Sequence, residues 1–136
     1  MGTIISSACN SSMLSSVTQA LCEFVLNGIS GKTFDKIRWR LSVKAMGDKD
    51  TTYNIKLENI TKTITILEET NIKLKEDKIE INGKIIILSP WLRYSNGGTI
   101  SQDWVGDTLK ASIIKQSGST PEKLQIYTNT QTHYTD

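Results

Sequence analysis

The fold is decided by residues 71–88, which read NIKLKEDKIEINGKIIIL. Asn82-Gly83 is the strongest short signal for a β-hairpin, because both residues tolerate the positive φ angles of a type I′ turn. A two-residue loop at this position pairs Ile79 with Ile86. The stretch therefore predicts two antiparallel strands joined by a tight turn.

A second two-residue loop at residues 76–77 would add a third strand, because it pairs Leu74 with Ile79. Both loops are compatible with one apolar face, and a slip of one residue would move half of that face into water. The predicted face consists of Ile72, Leu74, Ile79, Ile81, Ile86 and Leu88. In the last strand Ile85 and Ile87 point the other way, so both sides of that strand need a cover.

Alternating patterns elsewhere extend this meander into a larger antiparallel domain over residues 35–128. In the run from Lys36 to Ala45, every second residue is apolar and the residues between are polar or charged. Hairpin-like spacing without helical crossovers excludes a parallel sheet. We therefore predict a mainly β protein, an antiparallel β-sandwich or small barrel of about eight strands.

The first 31 residues differ from the rest because they contain one charged residue, Glu23. Their apolar residues recur at helical spacing, which predicts one N-terminal α-helix over residues 12–27, packed on the sheet. Residues 129–136 are polar and predict a frayed tail. Together, residues 1–136 are predicted to form a single domain.

The start of the chain fits a lipidation motif. Gly2 follows Met1, Ser6 occupies the position where Ser or Thr is required, and Cys9 could take a second acyl chain. No basic region precedes an apolar core, so a secretory signal peptide is not predicted. Two cysteines do not make a disulfide scaffold, and the expected location is the cytoplasm or a virion, with membrane association through the lipid as an alternative.

A row of cations follows the outward side of the strand at 36–44. These are Lys36, Arg38, Arg40 and Lys44. The row either solvates the sheet and discourages edge pairing, or binds phosphates, anionic lipid or an acidic partner. A nucleic-acid surface would also need aromatic side chains on the same face. Trp39 falls on the opposite face, so nucleic acid is not a predicted partner.

Three aromatic residues flank the glycine turn at 96–98: Trp91, Tyr94 and Trp104. They either form a contact loop for a partner or plug one end of the sandwich. The sequence does not decide between these alternatives.

Catalytic chemistry has no candidate in the sequence. The only histidine, His133, lies in the predicted tail, and neither cysteine has basic neighbours that would lower its pKa. Phosphate-binding loops and regularly spaced metal ligands are absent from the sequence. We therefore predict a non-enzyme without catalytic residues, cofactor, metal or small-molecule substrate.

Two functions remain open, and no known family is recognised in the sequence. The first is a structural or assembly domain that contacts itself or another protein, such as a viral or phage particle component. The second is an N-myristoylated, matrix-like peripheral membrane protein that uses the cationic row against anionic lipid.

Overall fold

A computed structural model of the chain describes residues 3–9, 13–16, 18–44, 48–74, 79–81, 84–94, 100, 102–121 and 124–135. Its strands are β1 (Thr3–Cys9), β2 (Met13–Ser16), β3 (Gln19–Val25), β4 (Thr33–Lys44), β5 (Thr52–Asn59), β6 (Ile64–Ile72), β7 (Ile79–Ile81), β8 (Lys84–Leu88), β9 (Leu92–Arg93), β10 (Thr108–Ser117) and β11 (Gln125–Thr135). A short 3₁₀ turn covers Gln102–Trp104.

The strands form two antiparallel sheets that pack as a sandwich. Sheet A has the order β1-β11-β4-β8-β7, with β9 also paired to β4, and sheet B has the order β2-β3-β10-β5-β6. All the strand pairs are antiparallel. The predicted mainly β, antiparallel class is therefore confirmed, and the architecture is a two-sheet sandwich.

The core lies between the two sheets and takes every second side chain of the central strands. In β4 the buried residues Ile37, Trp39, Leu41 and Val43 alternate with less buried polar ones, as the sequence predicted. Burial of each such side chain contributes about 1.5–3 kcal/mol, so this alternation fixes which face of each strand points outward.

The predicted pairing of β7 with β8 is confirmed, but the three-stranded meander is wrong. Ile79 lies opposite Ile86, as predicted, while the Asn82-Gly83 turn itself and residues 76–77 lie outside the described residues. The strand before them, β6, belongs to sheet B, whereas β7 belongs to sheet A. The chain therefore crosses between the sheets after β6 and does not continue the same sheet.

The predicted apolar face is reversed in β8. The inward side of this strand carries Ile85 and Ile87, whereas Leu88 is 53% exposed. Because β8 is apolar on both sides, its sequence pattern does not distinguish the inward from the outward face.

The predicted N-terminal helix over residues 12–27 is not found in the described part of that range, which forms strands. The described part of that range contains β2 and β3, and β3 pairs with β10 along its whole length. Ala20, Cys22 and Phe24 are buried with an interval of two residues. Phe24 belongs to both the helical and the strand pattern, and pairing with β10 decides between them.

The predicted frayed tail is wrong as well. Residues 129–135 belong to β11, which lies between β1 and β4 in sheet A. Its inward side carries Thr128, Thr130, Thr132 and Tyr134, which are at most 4% exposed. Threonine is polar but β-branched, so it favours strands even where hydropathy predicts a tail.

Two further observations concern the cysteines and the lengths of the helices. Cys22 is fully buried and disulfide-bonded, and Cys9 is the only other cysteine in the sequence. Among the described residues, no helix has the length and apolarity that a membrane span requires.

Candidate binding site on the outer face of sheet A

Strand β4 places the predicted cations on the outer side of sheet A. Lys36, Arg38 and Arg40 alternate with the buried core residues of the strand, so they share the outward face. At ~3.3 Å per residue, successive cations are ~6.6 Å apart along the strand. The backbone of Lys44 continues the strand, and its side chain lies outside the described part.

A break in the neighbouring strand brings Trp91 onto the same face. Leu88 pairs with Arg40, and Leu92 pairs with Ile37, so β8 and β9 both lie alongside β4 in the sheet. Between them Ser89 donates its backbone N–H to the carbonyl of Trp39 at 2.9 Å. Pro90 follows, and because proline has no N–H the ladder is interrupted there.

Trp91 lies among the cations of β4. The Nζ of Lys36 is 4.9 Å from the centroid of the indole ring, and the Cζ of Arg38 is 4.6 Å from it. Cations over a Trp ring within about 6 Å are attracted by about 0.5–1 kcal/mol at exposed sites. The ring therefore holds two otherwise flexible side chains close to the sheet.

Strand β11 supplies a second line of polar and aromatic side chains beside the cations. Gln131 lies opposite Arg38, and its Oε1 accepts hydrogen bonds from Nε at 3.2 Å and Nη2 at 2.5 Å. Further along, the Nζ of Lys84 is 5.1 Å from the centroid of the Tyr127 ring. We call this surface the basic face; it comprises Lys36, Arg38, Arg40, Lys84, Trp91, Tyr127 and Gln131.

His133 lies at one end of the basic face. Its Nδ1 is 2.7 Å from Oδ1 of Asp35, and its ring meets Trp91 edge-on with centroids 6.4 Å apart. Burial alone would raise the pKa of Asp35, but the hydrogen bond and charge of His133 outweigh it, so the pKa lies below its ordinary value of 3.8. The described side-chain partners of His133 are Asp35 and Trp91, so the contacts of the ring are not those of a Ser-His or Cys-His pair.

The charges of the basic face are not balanced within the described part of the chain. There, no carboxylate forms an ion pair with Lys36, Arg38, Arg40 or Lys84. The outer side of sheet B differs. Lys56 pairs with Glu58 at 3.2 Å, and Lys110 lies opposite both Glu23 and Glu58. Within the described residues, the outer side of sheet A is therefore mainly positive and that of sheet B is of mixed charge.

The predicted aromatic contact loop is divided between two environments. Trp104 is 1% exposed and belongs to the core, and Tyr94 meets the buried Phe34 edge-on at 6.2 Å. Trp91 alone of the three joins the basic face. The sequence did not predict this division, because the partners of Trp91 come from β4 and β11, which are distant in the chain.

The lipidation motif falls outside what the structure describes. Gly2 is outside the described residues, and of Cys9 only the backbone position at the end of β1 is described. Acylation of Gly2 stays a prediction, whereas acylation of Cys9 requires that its sulfur is not the one bonded to Cys22.

The described residues offer few other kinds of site. Over the described ranges, no group of three or more His, Cys, Asp or Glu residues could hold a metal ion. One open pocket of about 290 Å³ lies between β6 and β9, lined by Thr65, Ile66, Leu92, Arg93 and Ile100. Among these described lining residues, Arg93 is the one charged side chain.

Comparisons with known proteins identify no family for this chain. No family model matches it, and no curated protein matches it. Among solved structures, it is similar to the crystal structure of CBM27-1 from Caldicellulosiruptor saccharolyticus in complex with mannohexaose. That similarity has a TM-score of 0.45 and 11% identity, and covers 85% of this chain and 73% of the other. At these values the similarity says nothing about a ligand of this chain.

Proposed function

We propose that this chain is a non-enzymatic binding domain that contacts an acidic macromolecular partner through the basic face. The single observation that supports this is the row of Lys36, Arg38 and Arg40, which forms no ion pair among the described residues. The acid next to the row in sequence, Asp35, is paired with His133. The charge of Asp35 also acts on Lys36, but a row that forms no ion pair within the described residues attracts an anionic partner more strongly than a face of mixed charge does.

The composition of the face agrees with a role in contacts. Arg, Trp and Tyr are the residue types most enriched where truncation weakens protein complexes, and all three occur here. Leu88 lies opposite Arg40 in the same sheet and is 53% exposed, so it adds an apolar contact at the edge of the face.

Charge reversal on the two sheets tests the proposal. The double variant Arg38→Glu and Arg40→Glu and the matched control Lys56→Glu and Lys110→Glu change the net charge equally. Retention of each on heparin–agarose is measured along a salt gradient. We expect the first variant to elute at a clearly lower salt concentration than the control, because it removes the cations that face the matrix.

Equal shifts for the two double variants would contradict the proposal, because retention would then depend on net charge alone. Thermal melts of both variants establish that each sandwich is folded. The proposal would also be contradicted if the wild-type protein eluted as early as the Arg38 and Arg40 double variant, because the two arginines would then not contribute to retention.

Two finer roles stay predictions. An assembly component of a viral or phage particle should form defined oligomers at micromolar concentration, measured by light scattering. A matrix-like protein should carry a myristoyl adduct on Gly2, measured by intact mass in material from the native host. A bare N-terminus would exclude the second role.

A further inference from the structure

We infer that the basic face binds single-stranded nucleic acid, an inference that rests on the proposed function and names its ligand. Such a surface needs aromatic side chains on the face of the cations, and the sequence pattern of β4 offers none, since Trp39 points into the core. The structure supplies them from other strands: Trp91 follows the break after β8, and Tyr127 belongs to β11.

The arrangement of the face matches the chemistry of this ligand. Single strands are bound by a line of cations that follows the phosphates, together with aromatic rings near the bases. Lys36, Arg38 and Arg40 form such a line, and Lys84 continues it beside Tyr127. Ser42 of β4 pairs with Tyr127 of β11, and the distance along β4 from Lys36 to Ser42 is ~20 Å at ~3.3 Å per residue.

Neighbouring side chains hold some of the cations in place, which favours binding along a defined line of cations over binding to a diffuse positive surface. Arg38 is held by two hydrogen bonds to Gln131 and lies over Trp91, while Lys84 lies over Tyr127. Side chains held in this way lose less rotamer freedom when an anion binds. A membrane surface needs no such spacing of rings and cations along a strand, so the arrangement favours the polymer.

Fluorescence anisotropy with labelled oligothymidylate tests the inference over a series of salt concentrations. If four cations contact phosphates, the slope of log K against log salt should be about −3. The double variant Arg38→Gln and Arg40→Gln should reduce its magnitude by about 1.4, since two contacts are lost. The matched control Lys56→Gln and Lys110→Gln should leave the slope unchanged.

The variant Trp91→Ala tests the aromatic part. It should weaken binding by about five-fold to a hundred-fold, the usual effect of removing a stacking ring. Trp91→Phe keeps a ring and should lose less, so a loss equal to that of alanine would contradict stacking. Circular dichroism and thermal melts of both variants separate lost binding from lost folding.

Competition identifies the class of ligand. Unlabelled oligothymidylate should displace the probe at lower concentration than dextran sulfate of matched charge or phosphatidylserine vesicles. If dextran sulfate or the vesicles compete better, or Trp91→Ala binds as the wild type does, the inference is overturned. Heparin retention that depends on Arg38 and Arg40 would still support the proposed function in that case, so the two failures are distinguishable.

Discussion

At the scale of single residues, one partly buried ion pair connects two loops at an end of the sandwich. The Nζ of Lys62 is 2.6 Å from Oδ2 of Asp107, and Asn59 donates a hydrogen bond to the same oxygen at 2.9 Å. Burial alone would raise the pKa of Asp107, but the bonds from Asn59 and Lys62 and the Lys62 charge outweigh it. The pKa therefore lies below its ordinary value of 3.8.

The variant Asp107→Asn should lower the free energy of unfolding at neutral pH by about 1–2 kcal/mol, because Lys62 loses its nearest anion. Since the folded-state pKa is lowered, the carboxylate stabilises the protein above pH 3.8, and this contribution is lost as the pH falls further. Urea denaturation of both proteins at neutral and acidic pH should show the difference shrinking.

Asp103→Asn is the matched control. Its Oδ2 is 3.9 Å from the same Nζ and the side chain is 70% exposed, so the loss should be smaller. Equal losses for the two variants would contradict a special role of Asp107.

Gly118 allows a second prediction at this scale. Its φ angle is +95°, and a Cβ there would lie 2.7 Å from the Cα of Thr51. Gly31 has a φ angle of +75°, but a Cβ added there would meet no atom within 4 Å. We expect Gly31→Ala to cost about 1–2 kcal/mol from backbone strain, and Gly118→Ala to cost more. Thermal unfolding measures both, and similar melting temperatures would contradict the predicted clash.

At the scale of elements, the inward side of β11 is unusual because it is lined with buried hydroxyl groups. Thr128 uses its hydroxyl fully: it accepts a hydrogen bond from Nε1 of Trp39 and donates to the carbonyl of Arg40 at 3.1 Å. Among the described residues, the Thr130 hydroxyl has no partner although it is fully buried. An unpaired buried hydroxyl destabilises the fold.

The same substitution at these two positions should therefore have opposite effects. Thr130→Val removes an unpaired hydroxyl and should leave stability unchanged or raise it by up to about 1 kcal/mol. Thr128→Val leaves the Trp39 indole without an acceptor and should cost about 1–2 kcal/mol. Urea denaturation compares them, and a cost for Thr130→Val equal to that for Thr128→Val would contradict this account.

Local patterns in the sequence predicted the strands that have one apolar and one polar face. The alternation in β4 was sufficient for its burial pattern, and the turn signal at Asn82-Gly83 was sufficient for the pairing of β7 with β8. The face of β8 was not predictable, because Ile85 and Ile86 are equally apolar and only packing against sheet B selects between them. The first part of β11 lies within the predicted β domain, but residues 129–135 were missed, because threonine side chains are polar and do not show up as core residues in a hydropathy pattern.

At the scale of the whole molecule, the disulfide of Cys22 is relevant to the cellular location of the chain. We expect the unfolded, non-reduced protein to react with no thiol reagent, and the reduced protein to react at two thiols per chain. An acyl chain on Cys9 and a bond from Cys9 to Cys22 exclude each other, because both use the same sulfur. Mass spectrometry after alkylation measures the count.

Two reactive thiols before reduction would contradict the disulfide and would agree with the reducing location predicted from the sequence. The cytoplasmic or virion location stays a prediction, and the thiol count tests it.

The binding site was predictable in part. The spacing of Lys36, Arg38 and Arg40 placed the cations on one face without any knowledge of the fold. Trp91 and Gln131 could not be assigned to it, since they contact Arg38 from places 53 and 93 positions further along the chain. Such a surface exists only when three strands have paired.

The pairing of β1 with β11 places Thr3 opposite Tyr134, so positions near the two extremities of the chain are neighbours in one sheet. A short peptide could bridge them and make the polypeptide continuous, and new extremities could then be opened at the Gly118 turn. Such a circular permutant should retain the topology of both sheets, because every ladder of hydrogen bonds survives the rearrangement.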